Sequence, residues 1–167
     1  AELYSKKKNF YRFSISYFHT ILKDAILRDF AQLNGLDSML YDGEMMRIQM
    51  NQNVNNAIIY GANVNFDFSI SNMLNISLLC DYRYGFDYMN SPIAHIPPLS
   101  IKSSLDYRYK KNAFSFYSYY NAWKKSDEYD LYGIDNLEEA TQNGTPSWYT
   151  LNCKFVKKID DGIRVSI

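Results

Sequence analysis

The feature that most constrains this chain is an alternation of apolar and polar side chains, sustained for longer than an ordinary strand needs. From Ile58 to Ile70 the even positions read Ile58, Tyr60, Ala62, Val64, Phe66, Phe68 and Ile70. The odd positions read Ile59, Gly61, Asn63, Asn65, Asp67 and Ser69, and only Ile59 departs from the pattern. Successive side chains of a β-strand point to opposite faces, so period two predicts a strand with one apolar and one polar face. Leu99, Ile101, Leu105, Tyr107 and Tyr109 share a phase in which Ser103 is the exception, against Ser100, Lys102, Ser104, Asp106 and Arg108. Ile76, Leu78, Cys80, Tyr82 and Tyr84 oppose Ser77, Asp81 and Arg83, and Tyr149, Leu151, Cys153 and Phe155 oppose Trp148, Thr150, Asn152 and Lys154. Tyr11, Phe13, Ile15 and Tyr17 oppose Arg12, Ser14 and Ser16, while Met46, Ile48 and Met50 oppose Met45, Arg47, Gln49 and Asn51. Phe114, Phe116 and Tyr120 mark one further apolar phase, blurred by Tyr117 and Tyr119.

Seven strands follow, many near ten residues, where a globular strand averages about five or six. A tilted strand of about nine to eleven residues crosses a bilayer. Thr20 to Leu33 resists this reading, because Ile21, Ala25, Ile26, Phe30 and Leu33 fall at near-helical spacing; strand is expected to about Arg28 and loop beyond. Bacterial single-chain barrels have even strand numbers, so seven implies at least one more.

The connectors sort by length. Residues 71–75, 110–112 and 158–162 are short, whereas 29–43, 86–97 and 124–146 are long. Short turns at one end and long loops at the other mark an up-and-down transmembrane barrel, with turns in the periplasm and loops outside. Aromatic placement agrees. Tyr11, Phe13, Phe66, Phe68, Tyr107, Tyr109, Phe114, Phe116 and Phe155 lie beside the short turns, and Tyr60, Tyr82, Tyr84, Tyr120 and Tyr149 beside the long loops. Val64, Leu78, Ile101, Leu105 and Leu151 lie between. Rings at both ends with aliphatics between form the two girdles of an outer-membrane barrel.

Averages hide this. Eighteen basic against eighteen acidic residues argue against a nucleic-acid binder, and 47% hydrophobic content against disorder. Mean hydropathy is −0.37, and the sequence has no run of 18 apolar residues that would make a membrane helix. Such figures describe a soluble domain only because the two faces of each strand cancel. The chain opens on Ala1 without a visible signal-peptide pattern, and Ile163 to Ile167 alternates and stops in mid-pattern; the expectation is a piece of a longer protein.

Several strings resemble the C-terminal barrel of TonB-dependent outer-membrane receptors. Ile96-Pro97-Pro98-Leu99 followed by Leu105-Asp106-Tyr107 resembles the proline pair before a strand entering from an outer loop. Residues 144–152, Gly-Thr-Pro-Ser-Trp-Tyr-Thr-Leu-Asn, resemble the opening of the strand two before the end, and Asn53 to Gly61 resembles a segment leading into a strand with a characteristic glycine. Order and spacing match over nearly all of the chain. The low-Gly, Tyr- and Asn-rich style resembles receptors of the Bacteroidetes type.

The resemblance implies an all-β, antiparallel up-and-down transmembrane barrel of 22 strands, of which residues 1–167 supply roughly the fifteenth to twenty-first. The N-terminal plug, the box that meets the energy transducer and the last strand are not in this sequence. It further implies energy-coupled uptake, across a Gram-negative outer membrane, of a scarce nutrient such as a ferric siderophore, haem, cobalamin, glycan or peptide. The implied partners are the TonB transducer, outer-membrane lipid and lipopolysaccharide, the small ligand and a surface lipoprotein lid. No cofactor, nucleic acid or enzymatic activity is implied. Ligand-binding candidates are side chains of the outer loops: His95, Tyr88, Trp123, Tyr129 and Tyr132.

Other chemistry is sparse. Cys80 and Cys153 fall in the apolar phase of non-adjacent strands, which argues against a disulfide. Two Cys and two His scattered from 19 to 153 do not form a zinc site. His95 reads either as an axial haem ligand or as a solvated loop residue. Asp127, Glu128, Asp130, Asp135, Glu138 and Glu139 against Lys124 and Lys125 make the longest loop acidic; attraction of cations and plain solvation are the two readings. Lys6, Lys7, Lys8, Lys110 and Lys111 are expected in turns at the inner rim. The competing architectures are a passive porin-type barrel and a soluble carbohydrate-binding β-sandwich.

Overall fold

The computed structural model describes every residue except 1, 8, 9, 131–134, 136 and 160–162. The strands are β1 (Glu2–Lys7), β2 (Tyr11–Phe30), β3 (Ser38–Tyr41), β4 (Glu44–Arg47), β5 (Gln49–Ser69), β6 (Leu74–Asp87), β7 (Ser100–Tyr109), β8 (Asn112–Asn121), β9 (Lys124–Lys125), β10 (Gly144–Thr145), β11 (Trp148–Lys158) and β12 (Arg164–Ser166). Eight form one sheet in the order β1-β2-β5-β6-β7-β8-β11-β12, every neighbour antiparallel. The pairs β3–β4 and β9–β10 sit within two of the long connections. Each strand of the large sheet pairs with the next one along the chain, which is the meander that period two and sorted loops predict.

Register fixes the faces. Val64 lies between Ile15 and Cys80, and Phe68 between Tyr11 and Ile76, so the apolar phases of three strands form continuous rows. Opposite them runs a polar face stitched by side chains. Asn63 Nδ2 donates to Asp81 Oδ2 at 2.6 Å, Ser77 Oγ to Asp67 Oδ1 at 2.7 Å, and Ser69 Oγ to Asn75 Oδ1 at 2.7 Å. The exception noted at Ser103 has a physical answer. Ser118 stands directly opposite it, and the two hydroxyls pair at 2.7 Å, so neither presents an unsatisfied group on the apolar face.

Rings gather at both ends of that face. Phe114 and Phe155 are 4.7 Å apart and Phe66 and Phe68 6.1 Å apart near the short turns. Tyr60 and Tyr84, 5.9 Å apart, and Tyr84 and Phe86, 6.2 Å apart, lie at the other end. On the polar face Phe18 pairs in register with Gly61, where an added Cβ would meet the Phe18 ring and the Tyr82 carbonyl. The ring covers the glycine in place of a side chain, a known way of closing such a gap in a sheet.

A core is missing. The accessible surface is 12360 Å², whereas a globular monomer of this mass exposes about 8,600 Å². Among the described residues the buried apolar set is Ala57 and Tyr129, while Phe116 is 55% and Leu151 76% exposed. A sheet with one largely apolar face left uncovered is a wall, not a domain; among the described residues the soluble sandwich has no second layer.

The structure corrects the strand count. Glu2–Lys7 is a strand paired with β2, so Lys6 and Lys7 lie in β1 rather than in a turn, and Lys8 is outside the described residues. The segment 45–51 is split between β4 and β5, and β5 runs unbroken through Ile58. Eight strands in the large sheet remove the premise of the parity argument. The helical spacing after Thr20 is strand to Phe30, and the connection 31–48 carries the β3–β4 hairpin. Cys80 and Cys153 are free on β6 and β11, with β7 and β8 between them.

Val64→Arg puts a cation midway along the apolar face and is expected to block membrane assembly, at a cost of about 2–4 kcal/mol. Asn63→Arg, one residue away but facing Asp81, should assemble normally. Heat-modifiable migration of membrane-extracted protein reads both, and equal damage from the two would refute the face assignment.

Candidate functional site

The end of the wall that carries the long loops has the only candidate ligand chemistry that the sequence proposed. Two connections fold over it: 88–99 between β6 and β7, and 122–147 between β8 and β11. Neither is a loose loop. Asp87 is 3% exposed and its Oδ1 accepts the backbone N–H groups of Met89 and Ser91 at 2.8 and 2.9 Å. This local turn sends the chain back along the sheet edge, where Ile93 N donates to Gly85 O at 3.0 Å. In the longer connection β9 and β10 pair, short 3₁₀ turns cover Ser126–Glu128 and Leu137–Glu139, and Trp123 Nε1 donates to Asn143 O at 2.9 Å. Gly144 permits this crossing: its φ is +94°, and a Cβ there would strike the Lys124 carbonyl.

One carboxylate joins the two connections. Asp135 Oδ2 receives Lys124 Nζ at 2.6 Å, and its Oδ1 accepts the His95 backbone N–H at 2.7 Å with His95 Nδ1 at 3.3 Å. The side chains of Asp135 and Lys124 are 7% and 13% exposed. Asp130, 5% exposed, accepts the Asp135 backbone N–H at 2.8 Å. Lys124 Nζ also lies 4.6 Å from the centroid of the Tyr129 ring, whose hydroxyl pairs with Thr145 Oγ1 at 2.5 Å. An ion pair taken out of water must be well partnered to persist, and once formed it fixes one arrangement of the segments it joins. The acidity of this loop is therefore spent partly inside it: Asp130 and Asp135 are not solvated, contrary to the plain solvent reading of the sequence.

Beside this junction the protruding end of β2 faces the 88–99 connection across a cleft of about 350 Å³. Ile26, Ile93 and Pro92 supply apolar wall, and Arg28, His95, Asp87 and Asp130 supply polar groups. The size and mixture suit a small ligand: apolar lining with a few convergent polar groups.

The predicted residues have unequal fates. His95 keeps a side chain 75% exposed although its backbone is tethered. Tyr88 is 52% and Trp123 47% exposed, the latter with its N–H committed. Tyr129 is 6% exposed and belongs to the interior of the folded loop. Tyr132 lies outside the described residues. His95 and Trp123 belong to one cap; Arg28, Lys124 and Asp135 were not among the sequence candidates. Only a contact 40 residues long, His95 to Asp135, reveals the last two, and no local pattern could have shown it. Among the described residues no group of three or more His, Cys, Asp or Glu could hold a metal ion.

Lys124→Met should leave Asp135 buried without its lysine counter-charge and loosen the cap by about 3 kcal/mol or more. Faster proteolysis of residues 122–147 with unchanged barrel migration is the expected result. Unchanged protection would show that the ion pair does not hold the loops together.

No family model and no curated protein matches the sequence. Solved structures do match. Over 99% of this chain it superimposes on the copper transporter OprC with a TM-score of 0.76 at 13% identity. Two variants of the ferric enterobactin receptor PfeA from Pseudomonas aeruginosa match over 96% of the chain, with TM-scores of 0.68 and 0.66 at 13% and 14% identity. The chain spans only 23% of the length of each. The likeness to a TonB-dependent receptor barrel carried by the sequence strings is thus borne out at the level of fold: the described residues form an all-β antiparallel wall that matches a sector of the barrels of these proteins.

Proposed function

We propose that this chain is part of an energy-coupled outer-membrane transporter, in which it forms barrel wall and ligand-facing outer loops. The observation that carries this reading is the folded cap. Two long connections are locked by a buried carboxylate at one end of an antiparallel wall whose other end has short turns, and a passive pore needs no such built cleft. The apolar face meets lipid and, at the long-loop rim, lipopolysaccharide; the polar face lines the transport path. The cap is outside the cell and the short turns are in the periplasm of a Gram-negative bacterium. In the whole protein, residues 1–167 are the C-terminal portion of a 22-stranded barrel, a plug precedes them, and TonB supplies energy from the inner membrane. OprC and PfeA are named for copper and ferric enterobactin, which supports scarce-nutrient transport of a siderophore, haem, cobalamin, glycan or peptide. Within the cap, His95, Tyr88 and Trp123 contact ligand with Arg28, and Tyr129 holds the fold behind them. A surface lipoprotein closes over the top.

Uptake of a panel of such nutrients by cells bearing the full-length protein tests the coupling. A protonophore, or loss of the transducer, should abolish uptake; import that persists marks a passive barrel. Deleting residues 127–142 should leave a heat-modifiable barrel in the outer membrane and remove uptake. A deletion variant that fails to assemble would show that the segment is part of the barrel's folding unit.

A further inference from the structure

Two rings stand where the alternation calls for polar side chains. On β8, Tyr117 and Tyr119 share the polar face; register places Tyr117 beside Ser104 and Asn152, and Tyr119 beside Lys102 and Thr150. Trp148 on β11 stacks against Tyr119, centroids 5.2 Å apart with planes at 30°. Lys102 Nζ lies 5.3 Å from the Tyr119 centroid. Tyr117 is 46% and Trp148 43% exposed, so the rings form an open surface rather than a packed cluster. Below them the wall dips into a concavity of about 500 Å³. The rings descend from the cap end toward mid-wall on the face that does not meet lipid.

Girdle chemistry does not account for these rings, because girdles belong to the opposite face. Their surroundings restrict what they bind. The concavity is lined by one cation, Lys102, and one carboxylate, Asp67; the neighbouring carboxylates are both partnered, Asp81 by Arg83 at 2.8 Å and Asp106 by the hydroxyls of Ser104 and Ser115. With charges balanced, an anion or a charged metal complex gains little here. Exposed aromatic faces bordered by hydroxyl, amide and ammonium groups match a pyranose ring, which has an apolar C–H face and a rim of hydroxyls. Rings supply large rigid contact area and the border supplies orientation.

We propose that Tyr117, Tyr119 and Trp148 form a stacking subsite for an uncharged saccharide on the channel-facing wall, with Ser104, Thr150 and Asn152 binding its hydroxyls. This rests on the reading of the polar face as the transport path and narrows the nutrient to a glycan.

The test uses the full-length protein purified in detergent and titrated with maltohexaose, cellohexaose and xylohexaose, followed by calorimetry and tryptophan fluorescence. At least one should bind at millimolar concentration or below. Tyr119→Ala and Trp148→Ala should each weaken binding about tenfold, that is, about 1.4 kcal/mol, with heat-modifiable migration retained. Tyr117→Ala provides an independent variant should either fail to assemble. Lys102→Gln should change the affinity by less than about threefold, or 0.7 kcal/mol. A larger loss from Lys102→Gln than from Tyr119→Ala would mean an anionic ligand and overturn the proposal. So would an assembled barrel that binds none of the three, the result expected if a polypeptide occupies the rings. An assembled protein that imports a different nutrient when energised sinks the saccharide subsite and spares the transport reading; a protein that never enters the outer membrane sinks both.

Discussion

The backbone hydrogen-bond ladder is the constraint from which the rest of this structure follows. In hydrocarbon no water is available to satisfy a peptide N–H or C=O, and each one left open costs several kcal/mol. Every strand that crosses must therefore be paired on both sides for its whole span. That requirement explains why the order is a simple meander, why β7, β8 and β11 have the ten or eleven residues of a crossing, and why Ser103 and Ser118 pair on the apolar face. It also explains what the surface area reports. In the proposed transporter a wall needs no interior of its own, because lipid covers one face and the channel contents the other.

Legibility in the sequence tracked the same constraint. Where a strand sits between lipid and water, each position is forced to one polarity, and Ile58–Ile70 and Leu99–Tyr109 could be read almost residue by residue. Beyond the bilayer the forcing ends. β2 and β5 run on for 20 and 21 residues, and the outer half of β2 has no buried residue on either face, so Ile21, Ile26 and Phe30 fell at a spacing that imitated a helix. Glu2–Lys7 was missed for a related reason: six residues of mixed character give too little alternation to separate strand from turn. Phe18 escapes the alternation for a different reason. Its place on the polar face makes sense only opposite Gly61, a partner that register brings from 43 positions away.

The cap was illegible because its order is not periodic. Its acidic residues looked like a solvated run, yet Asp130 and Asp135 are buried acceptors, and Tyr129 is interior rather than ligand-facing. What could be read was only that long loops exist at one end and carry rings. The buried pair of Lys124 and Asp135 converts that into geometry. Its worth lies less in stability than in choosing one conformation, since removing charges from water offsets much of their attraction. A loop held in one shape can keep a cleft open beside Arg28 and His95; a solvated loop cannot.

Composition drew attention to 16 tyrosines in 167 residues, but composition cannot say what a tyrosine does. Parity can. Tyr120 and Tyr119 are adjacent in sequence on β8, and their side chains leave the strand on opposite faces. Tyr120, opposite Ile101 and Tyr149, joins the ring belt that anchors the wall at an interface where one end of the ring is apolar and the other wet. Tyr119, opposite Lys102 and Thr150, stands on the polar face, which the proposed function turns to the channel. A one-residue slip of β8 would exchange the two roles, turning Ser115 onto the apolar face and Phe116 onto the polar one, so the ladder that satisfies the backbone also decides which rings join the belt and which stand on the polar face.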